Sequence, residues 1–287
     1  MKKIRRVKTM QSLAKCWAKE GLRVSFVPTM GALHAGHLSL IGRARKLCGA
    51  QGIVVVSLFV NPTQFNDLRD FQKYPNPVKD DLRMCADAGV DYVFIPTVAE
   101  MYGEKDSTQV TENRLSLPME GASRPGHFSA VLTIVSKLFN LVRPDIAVFG
   151  EKDFQQATLI QQMVRDLNYP IRIVVAPTLR EVDGLAMSSR NTHLHGSLRT
   201  QARSLWHCIK KARQTVHQSS GGIPTEGLRG LKHRLKLFLE QQKDARVDYI
   251  EFFDEVTLLP VRKAQRGDRI ALAVFIGKTR LIDNARL

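Results

Sequence analysis

The 287 residues, 44% hydrophobic and 24% charged, have an ordinary globular composition that argues against disorder and leaves room for two domains of roughly 100–200 residues each. The four cysteines, Cys16, Cys48, Cys85 and Cys208, are too widely spaced for a Cys-x-x-Cys pair, which argues against a zinc ribbon or a thioredoxin-type site. The formal charge of +16, made of +6 over residues 1–186 and +10 over 187–287, suits nucleic acid, anionic lipid or a phosphorylated small substrate without choosing among them.

In chain order, the basic start Met1–Arg6 runs into Met10, Leu13, Ala14, Trp17 and Ala18 at helical spacing. Thr9 is placed to cap this helix and Gly21 to end it, so the segment reads as amphipathic and not as a signal sequence. Apolar runs stay far below the ~20 residues that span a bilayer, and the expected location is the cytoplasm. Val24–Pro28 reads as a buried strand, Leu38–Cys48 as a helix and Ile53–Phe59 as a β-branched strand. The same alternation continues through Val78–Ala88 (helix), Tyr92–Ile95 (strand), Ala130–Val142 (helix), Ile146–Phe149 (strand), Gln155–Asn168 (helix) and Ile171–Ala176 (strand). Short strands alternating with longer helices predict right-handed βαβ crossovers and an α/β, doubly wound parallel (Rossmann-like) sheet, with ligands beyond the carboxyl ends of the strands.

The last third differs. Two basic helices, Arg199–Arg213 and Leu228–Gln242, flank the turn-rich Ser219–Pro224. Two apolar stretches follow, Val247–Phe253 and Ile270–Ile276, which read as a small antiparallel sheet. The expected division is a Rossmann-like domain over 1–186 and a smaller α+β domain over 187–287.

The loops after the strands carry the chemistry. Pro28–Leu38 places His34 and His37 three apart, where a strand hands over to a helix. Both imidazoles then lie on one side of the first helical turn, beside unpaired N–H groups that favour an anion. Gly31 and Gly36 let a phosphate approach the backbone, and the alternatives are a metal pair or an exposed loop. Gly150-Glu151-Lys152-Asp153 follows a strand directly, with a lysine to meet a polyphosphate and an acid to grip a ribose or base; helix capping alone explains the same residues. Met187-Ser188-Ser189-Arg190-Asn191 offers two hydroxyls and a guanidinium to triphosphate oxygens, or a plain capped loop. Phe59–Phe65 contains Asn61 and Gln64, suited to orienting a small polar substrate, and Arg124 and His127 flank a turn.

Taken together, these segments resemble a known pattern. His34-Ala35-Gly36-His37 resembles the HIGH signature of the nucleotidylyltransferase superfamily, and Met187–Arg190 resembles its KMSKS-type counterpart. More narrowly, Pro28–His37, Phe59–Phe65, Arg124–Phe128, Lys137–Asn140, Gly150–Gln156, Asp183–Asn191 and Arg280–Asn284 resemble, in this order, the pantoate–β-alanine ligase family. That resemblance covers nearly the whole chain and implies a two-step reaction. Pantoate attacks the α-phosphorus of MgATP to give pantoyl-adenylate, which β-alanine then converts to pantothenate and AMP. It implies an ATP cradle of Met30, Gly31, Ala32, Leu33, His34, Ala35, Gly36 and His37, with His34 and His37 on the phosphates. Gly150, Glu151, Lys152, Asp153, Leu179, Met187, Ser188, Ser189 and Arg190 complete the nucleotide site. Lys152 neutralises phosphate oxygens, Asp153 faces the ribose and the backbone near Leu179 faces the adenine. His34, His37 and Lys152 are the implied catalytic groups, acting by position and charge with no covalent enzyme intermediate.

For the acyl partner the resemblance implies Gln64 and Gln156 on pantoate, with Asn61, Arg124 and His127 lining the same cavity and Gln64 also near β-alanine. Asp80 and Asp81 match a pair near Mg2+. A homodimer is implied, without nucleic acid or membrane as partner. Departures from the family pattern are Ser129-Ala130 after His-Phe, Thr192–Ser197 after Asn191, and Arg69 where an acid is common. Two rivals follow from the residues: another nucleotidylyltransferase, and a basic RNA-binding module. Against the second, Trp206 and Phe238 are the only aromatics in 199–246, and both suit a helix core.

Overall fold

Alternating apolar residues on the β-branched segments determine the layering. In the computed structural model, which describes the whole chain except the side chains of residues 68–70, six strands form one parallel sheet. They are β1 (Lys2–Ile4), β2 (Val24–Thr29), β3 (Ile53–Leu58), β4 (Tyr92–Phe94), β5 (Ile146–Gly150) and β6 (Arg172–Ala176), in the order β1-β4-β3-β2-β5-β6. The doubly wound parallel sheet is therefore present. The chain winds outward from β2 through β3 to β4, then returns to the other side of β2 with β5. That reversal makes the carboxyl ends of β2 and β5 the place where such sheets bind ligands.

The helices of this part are α1 (Val7–Lys19), α2 (Ala35–Cys48), α3 (Leu68–Lys73), α4 (Val78–Asp87) and α5 (Val98–Met101). α6 (Glu120–Ser123), which belongs to the second of the chain's two compact units, α7 (His127–Val142) and α8 (Phe154–Asp166) follow in the chain. Val27, Val54, Val56, Val93 and Val148 pack with Ile41 and Ala44 of α2 in one core. Phe149, the neighbour of Val148 and so on the other face, meets Phe139 of α7 edge to face with centroids 6.4 Å apart.

The chain forms two compact units. The first takes in Met1–Ser116, Arg124–Glu151 and Gln156–Pro177; the second takes in Leu117–Ser123, Lys152–Gln155 and Thr178–Leu287. Relative to the expected 1–186 and 187–287, the second unit also holds Thr178–Ala186, because Arg180 is tied to Asp283 by two bonds of 2.7 and 2.9 Å. The second unit contains α9 (Ser197–Ala202), α10 (Ser204–Gln218), α11 (Thr225–Glu240) and a three-stranded antiparallel sheet. That sheet has β10 (Arg269–Ile276) between β8 (Ala245–Phe253) and β11 (Thr279–Arg286); β7 (Ile223–Pro224) and β9 (Lys263–Ala264) pair separately. Leu205, Cys208, Ile209, Ala212 and Val216 of α10 recur at helical spacing, as do Leu228, Leu231, Leu235 and Leu239 of α11. They close on Ile270, Leu272, Val274 and Ile276, spaced by two along β10.

Several boundaries differ from expectation. α1 starts at Val7 and not at Thr9, because the carboxylate of Glu100, 93 residues away, accepts from Val7 N at 2.9 Å. α7 starts at His127, three residues early, which moves His127 from a loop to a helix. The expected single helix over 199–213 is divided between α9 and α10 at Arg203. β1 and β11 were not expected as strands; β1 is three residues long with two lysines, as an edge strand tolerates. Arg69, one of the departures from the family pattern, falls in α3, and its side chain lies outside the described residues. No helix among the described residues is long and apolar enough to cross a membrane.

Candidate active site

In the first unit, the loop leaving β2 is held by the side chains of Thr29 and Asp81. Thr29 Oγ1 donates to the Ser57 carbonyl (2.7 Å) and accepts from Gly31 N (3.1 Å). Gly31 and Ala32 both have left-handed backbone, with φ of +81° and +49°, which costs a non-glycine residue about 1–2 kcal/mol. The next amides, Ala32 N and Leu33 N, donate to the two oxygens of Asp81 at 2.9 and 2.8 Å.

His34 is the N-cap of α2, where Ala35, Gly36 and His37 make up the first turn. Its Nδ1 accepts from Gly36 N at 3.1 Å, while His37 Nδ1 accepts from His34 N at 3.3 Å. The two rings lie 4.1 Å apart, centroid to centroid. This is a capping box built from imidazoles. Because each Nδ1 accepts, each neutral ring carries its proton on Nε2 and offers Nε2–H as a donor. No acidic residue stands in this first turn, so the positive end of the helix dipole is not offset from within the helix itself.

A second cluster in the same unit gathers four of the residues expected at the acyl substrate. Asn61 is 1% exposed; its Oδ1 accepts from Tyr102 OH (2.7 Å) and Thr63 Oγ1 (3.0 Å). That leaves its Nδ2 to donate toward Gln64 Oε1 at 3.3 Å. The Gln64 carbonyl accepts from His127 Nδ1 (2.9 Å) and from Arg124 Nη2 (3.1 Å). His127 Nε2 then accepts from Arg124 Nη1 at 3.1 Å. Gln64 Nε2 reaches Met30 Sδ at 2.8 Å, joining this cluster to the loop after β2. Gln156 is half-buried in the first turn of α8. Sequence reasoning missed Tyr102: it is isolated in the chain, 41 residues from Asn61, and carries no local motif. Burial pushes its phenol above the ordinary range, which keeps it a donor. Lys137, within a matched segment, stands 4.8 Å from the Tyr102 ring centroid and pairs with Asp106 at 2.7 Å.

The Asp80 and Asp81 side chains differ in setting. Asp80 is 64% exposed and paired with Arg83 at 3.1 Å, whereas Asp81 is 1% exposed with both oxygens on loop amides. Burial raises the Asp81 carboxyl and the two amide bonds pull it back. Mg2+ needs a near-octahedral shell that keeps several waters. A buried carboxylate with each oxygen on a loop amide, beside an exposed one turned to an arginine, does not supply it. No cluster of three or more His, Cys, Asp or Glu that could hold a metal occurs among the described residues.

In the second unit, Lys152 and Asp153 belong to a 3-10 turn that Glu151 begins directly after Gly150, the last residue of β5. Lys152 Nζ lies 3.4 Å from Asp153 Oδ1, and the Lys152 carbonyl accepts from Asn284 Nδ2 at 2.9 Å. Asn284 Oδ1 in turn accepts from Arg269 Nη1 at 2.9 Å. The segment from Leu179 to Met187 folds back on itself: Met187 N donates to the Leu179 carbonyl at 3.0 Å, and Arg180 pairs with Ala186. The exposed Leu179 and the Met187–Arg190 run, eight or more residues apart in sequence, are thus adjacent. Ser188 Oγ accepts from Arg190 N at 3.3 Å to cap the turn Ser189–His193. Asn191 Nδ2 anchors that turn to Glu181 Oε1 (2.7 Å) and the Ala186 carbonyl (3.1 Å).

Both units thus carry polar loops rich in hydrogen-bond donors, and the chain is similar to known proteins along its whole length. The sequence profile of pantoate-beta-alanine ligase matches residues 2–286. The pantothenate synthetase of Thermosipho africanus is 45% identical over 99% of both chains, and that of Geotalea uraniireducens is 46% identical over 100% of this chain and 99% of its own. A crystal structure of pantothenate synthetase from Thermus thermophilus superposes with a TM-score of 0.89 at 39% identity, covering 100% of this chain and 99% of the other. The Francisella tularensis pantoate-beta-alanine ligase, crystallised with beta-gamma ATP and beta-alanine, gives 0.81 at 35% identity, covering 100% and 97%. With fold, loop residues and end-to-end similarity in agreement, the chain belongs to the pantoate–β-alanine ligase family.

Proposed function

We propose that this chain condenses pantoate with β-alanine at the expense of ATP, through a pantoyl-adenylate. In the first step a pantoate carboxylate oxygen bonds to the α-phosphorus while the bond to pyrophosphate breaks. In the second, the β-alanine amine bonds to the acyl carbon, the C–O bond to AMP breaks and the nitrogen loses a proton. The products are pantothenate, AMP and pyrophosphate.

The roles follow from the donors available. His34 and His37, with Nδ1 committed to backbone amides, direct Nε2–H at phosphate oxygens and stabilise the charge that builds there. Met30, Gly31, Ala35 and Gly36 shape the cradle; Ala32 and Leu33 contribute through the loop's form, since their amides serve Asp81. Lys152 supplies a positive charge to the triphosphate, and Ser188, Ser189 and Arg190 hold its oxygens. Gly150 and Glu151 lead into that lysine, Asp153 takes the ribose, and the Leu179 and Met187 backbones take the adenine. Gln64 and Gln156 orient pantoate, with Asn61, Arg124 and His127 holding Gln64 in place. ATP enters as its Mg2+ complex, the ion carried by phosphate oxygens and water and not by Asp80 and Asp81. The working form is a cytoplasmic homodimer, for which light scattering is expected to report twice the 32.3 kDa of one chain.

The reading is carried by the imidazole capping box at the start of α2, in a chain that the family matches from residue 2 to residue 286. Its test is exchange of labelled pyrophosphate into ATP with pantoate present and β-alanine absent. Pantoate-dependent exchange is the expected result. Binding of ATP without any such exchange would keep the nucleotide site and remove pantoate as the acceptor.

A further inference from the structure

We propose that Asp81 is a positioning residue, an internal anion that fills the two-amide concavity of the loop after β2 and so shapes the loop to receive the nucleotide. The Ala32 and Leu33 amides follow one another in a left-handed turn and point the same way, the geometry by which backbone forms an anion-binding nest. Here the anion is the protein's own. Asp81 stands in the first turn of α4, a separate element, and brings one oxygen to each amide.

Three observations fit this role. The carboxylate is 1% exposed, so it has no path to a hydrated ion. A Cβ on Gly31 would come within 2.9 Å of Asp81 Oδ2, so the glycine makes room for the carboxylate as well as adopting a φ of +81°. Ala32, without a glycine's freedom, also stays left-handed at +49°, a conformation that the bond from its own N–H to Asp81 helps to hold. With its two amides occupied by Asp81, the loop hands over directly to His34, the N-cap of α2. Asp81 therefore acts through His34, which directly follows Leu33.

The link to nucleotide rests on the function proposed above, while the clamp on the loop does not, and the test separates them. Amide hydrogen exchange at Ala32 and Leu33 reads the clamp in the ligand-free protein. Exchange in Asp81→Asn is expected to be at least about tenfold faster at both amides, and unchanged in Asp80→Asn. Should Asp81→Asn fail to fold, Gly31→Ala, which crowds the same carboxylate, serves in its place. Calorimetric titration with ATP, first in EDTA and then across Mg2+ concentrations, reads the consequence. Asp81→Asn is expected to weaken ATP about tenfold by the same factor in both conditions, with the Mg2+ dependence unmoved. Wild-type exchange at the two amides would overturn the clamp. Wild-type affinity in EDTA with a raised Mg2+ requirement would make Asp81 a metal residue and overturn the proposal. Faster amide exchange in a protein whose wild type does not bind ATP would keep the clamp and sink only the nucleotide reading.

Discussion

Asn284, three residues from the end of the chain, donates from Nδ2 to the carbonyl of Lys152 at 2.9 Å. The bond spans 132 positions of sequence and ties the backbone of the expected phosphate lysine to β11. The same amide side chain accepts from Arg269, and Asp283 beside it grips Arg180. The Arg-Leu-Ile-Asp-Asn ending thus has a mechanical purpose in the second unit, as a clasp on the lysine turn and on the Leu179–Met187 fold.

Lys152→Ala is expected to unfold at the wild-type temperature while pantoate-dependent pyrophosphate exchange falls by about 100-fold or more, the scale of losing one charge-stabilising group. The stability half follows because Lys152 is held through its carbonyl, which the substitution keeps. Thermal unfolding beside the exchange assay checks both; wild-type turnover by the folded variant would remove Lys152 from the mechanism.

At His34 the two roles can be separated. His34→Ala removes the acceptor for Gly36 N and is expected to cost about 1 kcal/mol of stability in addition to activity. Asparagine is a favoured N-cap, so His34→Asn should restore most of that stability and leave exchange low by about ten- to a hundredfold, for want of the Nε2 donor. Denaturant unfolding and exchange rates on the pair decide this. Restored activity in His34→Asn would reduce the histidine to a cap.

Gly184 has a φ of +94°, and a Cβ there would sit 2.2 Å from Trp206 Cδ1. Trp206 also carries the Arg180 guanidinium at 3.7 Å from its ring centroid. Gly184→Ala should therefore destabilise by about 1–3 kcal/mol from overpacking, with a further ~1 kcal/mol from the left-handed backbone. Denaturant melts of the purified variant measure it, and a loss below about half a kcal/mol would show the turn to be loose.

Burial lowers the His207 imidazole from its ordinary 6.5, with Lys210 and Arg203 adding to the effect. The folded chain then holds this ring neutral where the unfolded chain protonates it. Stability from this group is full above pH 6.5 and is lost as pH falls through the lowered value. Unfolding curves between about pH 7.5 and 5 should show a decline that His207→Gln reduces; an equal decline in the variant would place the dependence elsewhere.

Much of this protein was open to reading from residues in order. Short apolar strands such as those around Val54 and Val148, alternating with longer helices, predicted a parallel sheet because a crossover helix brings each strand back in the same direction. The His-x-Gly-His and Ser-Ser-Arg segments pointed to candidate nucleotide loops because glycine, imidazole and hydroxyl in such loops suit phosphate. Contacts that cross the chain decided the rest. Glu100 starts α1, Tyr102 orients Asn61, Asn284 holds Lys152, and Asp81 takes the loop amides that local pattern assigned to ATP. None of these has a periodicity or a neighbouring motif, because a hydrogen bond needs two groups near in space and places no demand on their separation in sequence.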